Sequence, residues 1–211
     1  MNPTQPISVA QQKSELRKHL RQIRRSLTPA QQQAASQRLL NTLLTLPAYQ
    51  NSQHVAVYIA ADGEIDTRHF VEDAWRKGKN IYLPVVDPQG SKTLTFLPWQ
   101  EDTVMINNKY GIPEPDSSLY QTRLASGLDL VLLPLTGFDE AGKRMGMGGG
   151  YYDRTFAFVS GKEKKAPQPQ LIGLAHECQK AGNIPSESWD IPLTGVATDQ
   201  RFYASLTTDS N

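Results

Sequence analysis

Cysteine is nearly absent from this chain of 211 residues. Its single Cys178 excludes an intrachain disulfide, and no Cys/His pairing at zinc-finger spacing surrounds it, so a reducing compartment is the simple reading. Long apolar runs are missing as well. None approaches the roughly 20 residues that span a bilayer, and the first residues, MNPTQPISVAQQK, lack the apolar core of a signal peptide. The expectation is a cytoplasmic protein with no membrane partner. Net charge is scarce too: 22 basic residues face 21 acidic ones, a balance of +1 that gives no general attraction to nucleic acid. The standard nucleotide signatures also fail. GxxxxGK[ST] does not occur, and a GxGxxG frame begun at Gly146 meets Tyr151 where its third glycine belongs.

What is present is unevenly placed. Residues 13–25 (KSELRKHLRQIRR) hold Lys13, Arg17, Lys18, Arg21, Arg24 and Arg25 against Glu15 alone, which leaves the rest of the chain net acidic. Leu16, Leu20, Ile23 and Leu27 recur at helical spacing, and Lys13, Arg17, Arg21 and Arg24 form a cationic stripe beside them. Such a stripe is either a solvated helix face or a site for a polyphosphate or phosphodiester. No aromatic residue interleaves it, which weakens a nucleic-acid reading.

The remaining pattern alternates strands and helices. A helix from Ser8 to near Thr28 precedes a second from Thr28-Pro29, a cap and first-turn pair, through about Leu44. "HVAVYIA" (54–60) predicts a strand buried on both faces, "RHFVEDAWRKG" a helix capped by Asp66 or Thr67 and ended by Gly78, and "NIYLPVV" (80–86) a second buried strand. "TLTFLPW" (93–99) alternates like a half-exposed strand, and "KYGIPEP" (109–115) reads as a proline-rich loop. "LDLVLLPL" (128–135) is the strongest buried strand. "DRTFAFV" can form a helix, "KEKKAPQPQ" a loop, and "LIGLA" and "GVAT" two more strands. This order predicts a three-layer α/β/α fold with a mostly parallel sheet in a single domain, residues 8–203, between tails at 1–7 and 204–211. Ligands of such sheets sit beyond the carboxyl ends of the strands. The polar stretches "YIAADGEIDT" and "LLPLTGFDEAGKRMGMGGGYYD" should therefore converge.

The second of these carries the densest chemistry. Gly146, Gly148, Gly149 and Gly150 remove every Cβ from one side, so that successive N–H groups can turn toward one anion. Lys143 and Arg144 could neutralise phosphate oxygens, Asp153 could hold Mg²⁺, and Tyr151 and Tyr152 offer rings and hydroxyls. A plain flexible turn, with Arg154 pairing Asp153 at the surface, is the competing reading. Glu64 could grip a ligand amide, while Asp66 could simply cap. Asp190 reads as a structural cap or as a second magnesium carboxylate. His176 and Cys178 read as a buried pair rather than a nucleophile and base.

Taken together, "KSELR", "GEIDT", "YGIPEP", "LLPLTGFDEAGKRMGMGGGYYDR" and "WDIPL…VAT" resemble, in that order and spacing, the 5-formyltetrahydrofolate cyclo-ligase family across about residues 13–199. The resemblance implies a monomeric enzyme that uses ATP and Mg²⁺ to close 5-formyltetrahydrofolate, or its polyglutamates, to 5,10-methenyltetrahydrofolate. It implies that Lys13 and Arg17 meet ATP phosphates, and that Arg144, Gly146, Met147, Gly148, Gly149, Gly150, Tyr151 and Tyr152 form the nucleotide and transfer loop. Within that loop Arg144, Gly148 and Tyr151 would be catalytic, while Arg21 and Arg24 keep the reading of a solvated face. Asp153 and Asp190 would hold the metal. Ile59, Glu64 and Tyr110 would contact the folate, with Met147 and Tyr151. Two departures stand out: Gly149 replaces a basic residue found in some relatives, and Tyr110 replaces a tryptophan. Competing classes are a folate-sequestering protein without turnover and a nucleic-acid module built on residues 13–25.

Overall fold

The computed structural model describes residues 8–86, 90–108, 111–160, 167–185, 187 and 189–206. In chain order the elements are α1 (Val9–Arg25), α2 (Pro29–Leu44), α3 (Pro47–Gln50), β1 (His54–Ala56), α4 (Arg68–Arg76), β2 (Asn80–Val86), β3 (Leu94–Pro98), β4 (Met105–Asn107), β5 (Pro113–Pro115), β6 (Leu130–Pro134), β7 (Gly137–Phe138), β8 (Arg144–Met145), α5 (Tyr151–Thr155), β9 (Gln170–Ala175), β10 (Gly195–Thr198) and β11 (Phe202–Ala204). Seven strands form one sheet in the order β11-β10-β9-β6-β1-β2-β3. The five inner strands run parallel, and β3 and β11 close the two edges antiparallel.

Two apolar layers explain the sandwich. On one face Leu39, Leu43, Tyr49, Phe70 and Ala74 from α2, α3 and α4 pack on Val55, Ile81, Leu130 and Ile172. On the other, Phe138 and Phe156 with Ile191 and Leu193 cover Val131, Leu133 and Val196. That second outer layer is built from the β7–β8 hairpin, the short α5 and loops, so it is thinner in helix than the first. The leading helices begin as expected. The Ser8 side chain accepts from the Gln11 N–H at 3.2 Å, and Thr28 with Gln31 forms a reciprocal capping box over Pro29.

Several boundaries differ from the sequence reading. The ladder of β1 stops at Ala56, well short of residue 60. Beyond it the apolar run folds over its own loop: the Tyr58 carbonyl accepts from Thr67 Oγ1 at 2.8 Å and the Tyr58 hydroxyl donates to the Ile65 carbonyl at 2.9 Å. The proline-rich loop contains β5, which pairs with β4. Its other backbone bonds run from Asn108 N–H to the Ile112 carbonyl and from Asp116 N–H to the Val104 carbonyl, so Pro113 and Pro115 face away and need no donor. The helix placed over "DRTFAFV" is α5 followed by a 3₁₀ turn at Ala157–Ser160. Among the described residues no helix is long and apolar enough to cross a membrane.

Candidate active site

Strand β1 lies between β2 and β6, and the chain winds to one side through β2 and to the other through β6, β9 and β10. The crevice beyond the carboxyl ends of β1 and β6 is therefore the topological switch point of the sheet. Residues 57–66 and 135–150 enter it, so the two polar stretches do converge.

The cationic helix crosses this crevice. Lys13 Nζ bonds Glu187 Oε1 at 3.3 Å, and Arg17 Nε donates to the Gly146 carbonyl at 2.8 Å. Glu187 N–H in turn donates to Asp190 Oδ2 at 2.8 Å, and Ile191 N–H to Asp153 Oδ1 at 3.3 Å. Lys13, Arg17, the glycine run, Asp153 and Asp190 thus form one connected neighbourhood. Arg21 and Arg24 overturn the reading of a solvated face. Arg24 is fully buried, donating to the Asp62 carbonyl, Asp62 Oδ2 and the Leu135 carbonyl, and Arg21 bonds Asp62 Oδ2 at 2.8 Å.

The glycine run is irregular backbone between β8 and α5. Gly148 has φ of 90° and Gly150, the cap of α5, has φ of 65°, conformations that disfavour a side chain. Among the described residues none accepts a hydrogen bond from the N–H groups of Met147, Gly148 or Gly149. A Cβ at Gly148 would stand 3.7 Å from the Arg17 guanidinium, while one at Gly149 would come within 2.9 Å of the Tyr151 ring. Arg17 is therefore the cation that faces Gly148, Arg154 lies against Gly150, and Tyr151 occupies the space a side chain at 149 would need. Met147 is exposed, with its sulfur accepting from Thr136 Oγ1.

Arg144 pairs with Asp153 Oδ1 through Nη2, and its Nε is buried without a hydrogen-bond partner. Arg154 does not pair with Asp153. It reaches the Lys92 and Gly149 carbonyls and lies over the Tyr151 ring. Burial raises the Tyr152 hydroxyl well above the ordinary tyrosine range, with the Glu64 charge adding to the shift, and its ring stacks on Phe156. Burial also raises the Glu64 carboxyl, against the Ala61 N–H bond at 3.1 Å and Arg24. Ile59 is half-buried against the helical core layer. Tyr110 lies outside the described residues.

His176 and Cys178 are not a buried pair. The segment turns in a 3₁₀ helix at Glu177–Gln179, which buries His176 and leaves Cys178 exposed. Burial lowers the His176 pKa. Three participants escaped the sequence reading: Asp62, Glu187 and buried Arg24. Asp62 had a visible signal, since Asp-Gly marks a turn that tolerates left-handed backbone, and Asp62 has φ of 54°. Glu187 had none.

Among the described residues no group of three or more His, Cys, Asp and Glu forms a metal cage. Magnesium needs none, because it is commonly held by one or two carboxylates, water and substrate phosphates. Asp153 and Asp190 fit that smaller donor set.

An open, mostly parallel α/β sheet with a glycine run at its switch point has the architecture of an α/β enzyme whose site lies at the strand ends. Comparison with known proteins makes the class particular. Residues 9–199 match the 5-formyltetrahydrofolate cyclo-ligase family. The chain is 40% identical over 184 residues to the 5-formyltetrahydrofolate cyclo-ligase of Escherichia coli K12, covering 87% of this chain and 98% of that one. It is 38% identical to that of Haemophilus influenzae, covering 88% and 97%. The NMR structure of Aquifex aeolicus 5,10-methenyltetrahydrofolate synthetase superimposes with a TM-score of 0.77 at 26% identity, over 94% and 95% of the two chains. This chain belongs to the 5-formyltetrahydrofolate cyclo-ligase family and is a ligase.

Proposed function

We propose that the chain uses ATP to cyclise 5-formyltetrahydrofolate to 5,10-methenyltetrahydrofolate, releasing ADP and phosphate. The N5 formyl amide is a poor electrophile and its oxygen a poor leaving group. The formyl oxygen attacks the γ-phosphorus and ADP departs, leaving a phosphorylated formyl group. N10 then attacks the formyl carbon, loses its proton, and phosphate leaves with the former formyl oxygen.

The observation that carries this reading is the buried, unpartnered Arg144 Nε beside a glycine run whose N–H groups are unspent. Unsatisfied donors aimed at one place stabilise charge that develops there, and phosphoryl transfer asks chiefly for such positioning and charge. Lys13 and Arg17 orient the triphosphate from the helix side, and Tyr151 and Met147 flank it. Glu64 holds the pterin as a buried acceptor, with Ile59 beneath it and Tyr110 placed to stack. Asp153 and Asp190 would hold Mg²⁺, which when bound neutralises phosphate charge. Asp153, which pairs with Arg144 in the structure, would be the carboxylate offered to the ion, and Arg144 the cation offered to phosphate. We extend the reading to polyglutamate forms of the substrate and to a monomer in the cytoplasm.

The test is near-ultraviolet absorbance of the protein with 5-formyltetrahydrofolate, Mg²⁺ and ATP. A methenyl chromophore that grows only with ATP is expected. Folate binding without that growth would mean a sequestering protein instead.

A further inference from the structure

We propose that Asp62 is a positioning residue for nucleotide binding: it docks the second half of α1 on the crevice and so aims Lys13 and Arg17, a role that rests on the reading of those two as triphosphate contacts. Three arginines of one helix, Arg21, Arg24 and Arg25, converge on this one carboxylate. Arg24 is the central member, with no exposed surface. Its Nε reaches the Asp62 carbonyl at 2.9 Å, its Nη2 reaches Asp62 Oδ2 at 2.7 Å, and its Nη1 reaches the Leu135 carbonyl at 3.1 Å. One guanidinium thus joins the loop after β1 to the loop after β6.

Both loops are shaped to receive the helix. A Cβ on Gly63 would lie 3.2 Å from the Arg24 carbonyl oxygen, and one on Gly137 would lie 2.3 Å from Leu20 Cδ1. Asp62 itself takes a left-handed φ of 54°, which turns its carboxylate toward α1. Burial alone would raise that carboxyl, but bonds from Arg21, Arg24 and Arg25 hold it far below the usual carboxylate range. Asp62 therefore stays ionised well below the pH at which an ordinary carboxylate takes up its proton.

By contrast the first half of α1 is thinly held. Among the described residues the apolar cluster beneath the helix buries Leu20, Met145 and Ile184, with Leu16 of the first half only partly buried against it, and towards the N-terminus Lys13 and Arg17 contribute one side-chain bond each, to Glu187 and Gly146. Lys13 and Arg24 are separated by about 16 Å of helix at 1.5 Å per residue. A tilt of roughly 10° about the clamp moves Lys13 by about 3 Å, the full length of a hydrogen bond. Orientation at the phosphate end is inherited from the clamp.

The experiment measures KM for ATP and for 5-formyltetrahydrofolate, kcat, and hydrogen exchange across the chain in Asp62→Gly, which keeps the left-handed backbone and removes only the carboxylate. The expected result is a KM for ATP raised about tenfold with kcat nearly kept, and faster exchange confined to residues 9–25. Asp62→Asn, which keeps the backbone preference and an acceptor, should restore part of the affinity; it also carries the test should the glycine variant fail to fold. Lys13→Ala/Arg17→Ala runs alongside. If that double variant raises KM for ATP and Asp62→Gly does not, the positioning role is overturned and the reading of the two cations stands. If neither raises it, both fall. Faster exchange throughout the sheet with kcat lost in proportion would make Asp62 a purely structural residue and would also overturn the proposal.

Discussion

The two ends of the sheet offer opposite kinds of cavity. At the amino ends of the parallel strands lies a hollow of about 770 Å³ lined by Trp75, Lys79, Tyr82, Trp99, Glu101 and Asp102. Its principal donors are spent: Trp75 Nε1 donates to the Trp99 carbonyl at 2.9 Å, Lys79 Nζ to the Tyr49 and Ser52 carbonyls, and the Tyr82 hydroxyl meets His54 Nδ1 at 3.0 Å. At the carboxyl ends the crevice keeps Arg144 Nε and, among the described residues, the N–H groups of Met147, Gly148 and Gly149 without a protein acceptor. A buried donor without a partner is costly, so an anion that pairs Arg144 Nε relieves a cost, while the exposed N–H groups of the run trade water for it. Spent donors mark the first end, available ones the second.

The variant that tests this contrast hardest is Gly148→Val. A φ of 90° strains any β-branched residue, and the loop is exposed, so the distortion stays local. Turnover should fall about 10²–10³-fold, with the melting temperature nearly unchanged. Arg144→Ala should fall in the same range, since it removes the orphaned donor itself. Normal turnover in either variant would take the glycine run out of the mechanism. Next in size is the Lys13→Ala/Arg17→Ala double variant, in which KM for ATP should rise about 10–100-fold, as expected for charged hydrogen bonds. The rise should shrink at high salt, because Arg17 lies near the exposed run.

Glu64→Gln gives a smaller effect and divides function from stability. The folded protein holds the Glu64 carboxyl above its ordinary pKa because burial disfavours the charge. The native state therefore binds the proton more tightly than the unfolded chain, and stability falls as pH rises from the ordinary carboxylate value through the raised one. Replacing the carboxylate removes that slope. Thermal melts above the window should show the glutamine variant more stable than the parent, while KM for 5-formyltetrahydrofolate rises about tenfold. A less stable variant at neutral pH would mean that the Arg24 contact at 3.8 Å outweighs the burial.

Much of this was legible in residues, and the gaps have physical causes. The parallel strands, the capping pair Thr28-Pro29 and the convergence of the 57–66 and 135–150 stretches follow from apolar runs and turn chemistry, which are local. The clamp did not follow. Helical spacing placed Arg21 and Arg24 beside Lys13 and Arg17, but which arginine is buried depends on a carboxylate 38 residues from Arg24. The early end of β1 was hidden for the same reason, since an apolar run can bury a loop as well as extend a ladder. Gly149 was visible as a missing cation, but that Arg17 lies beside the run needed coordinates.

The smallest expected effect on activity belongs to the hollow at the amino ends. Trp75→Phe keeps the ring packing on Trp99 and removes only the indole donor, so the Trp99 carbonyl loses its bond. That carbonyl borders an open hollow and can take water instead. The cost should be about 1 kcal/mol, read as a modest drop in melting temperature. Both KM values and kcat should stay within about twofold, because the change lies at the amino ends of strands whose carboxyl ends hold the chemistry. A tenfold loss of turnover here, with the fold intact, would break the contrast between the two ends. It would mean that the hollow communicates with the crevice through β1 and β2, and that spent donors do not make a cavity idle.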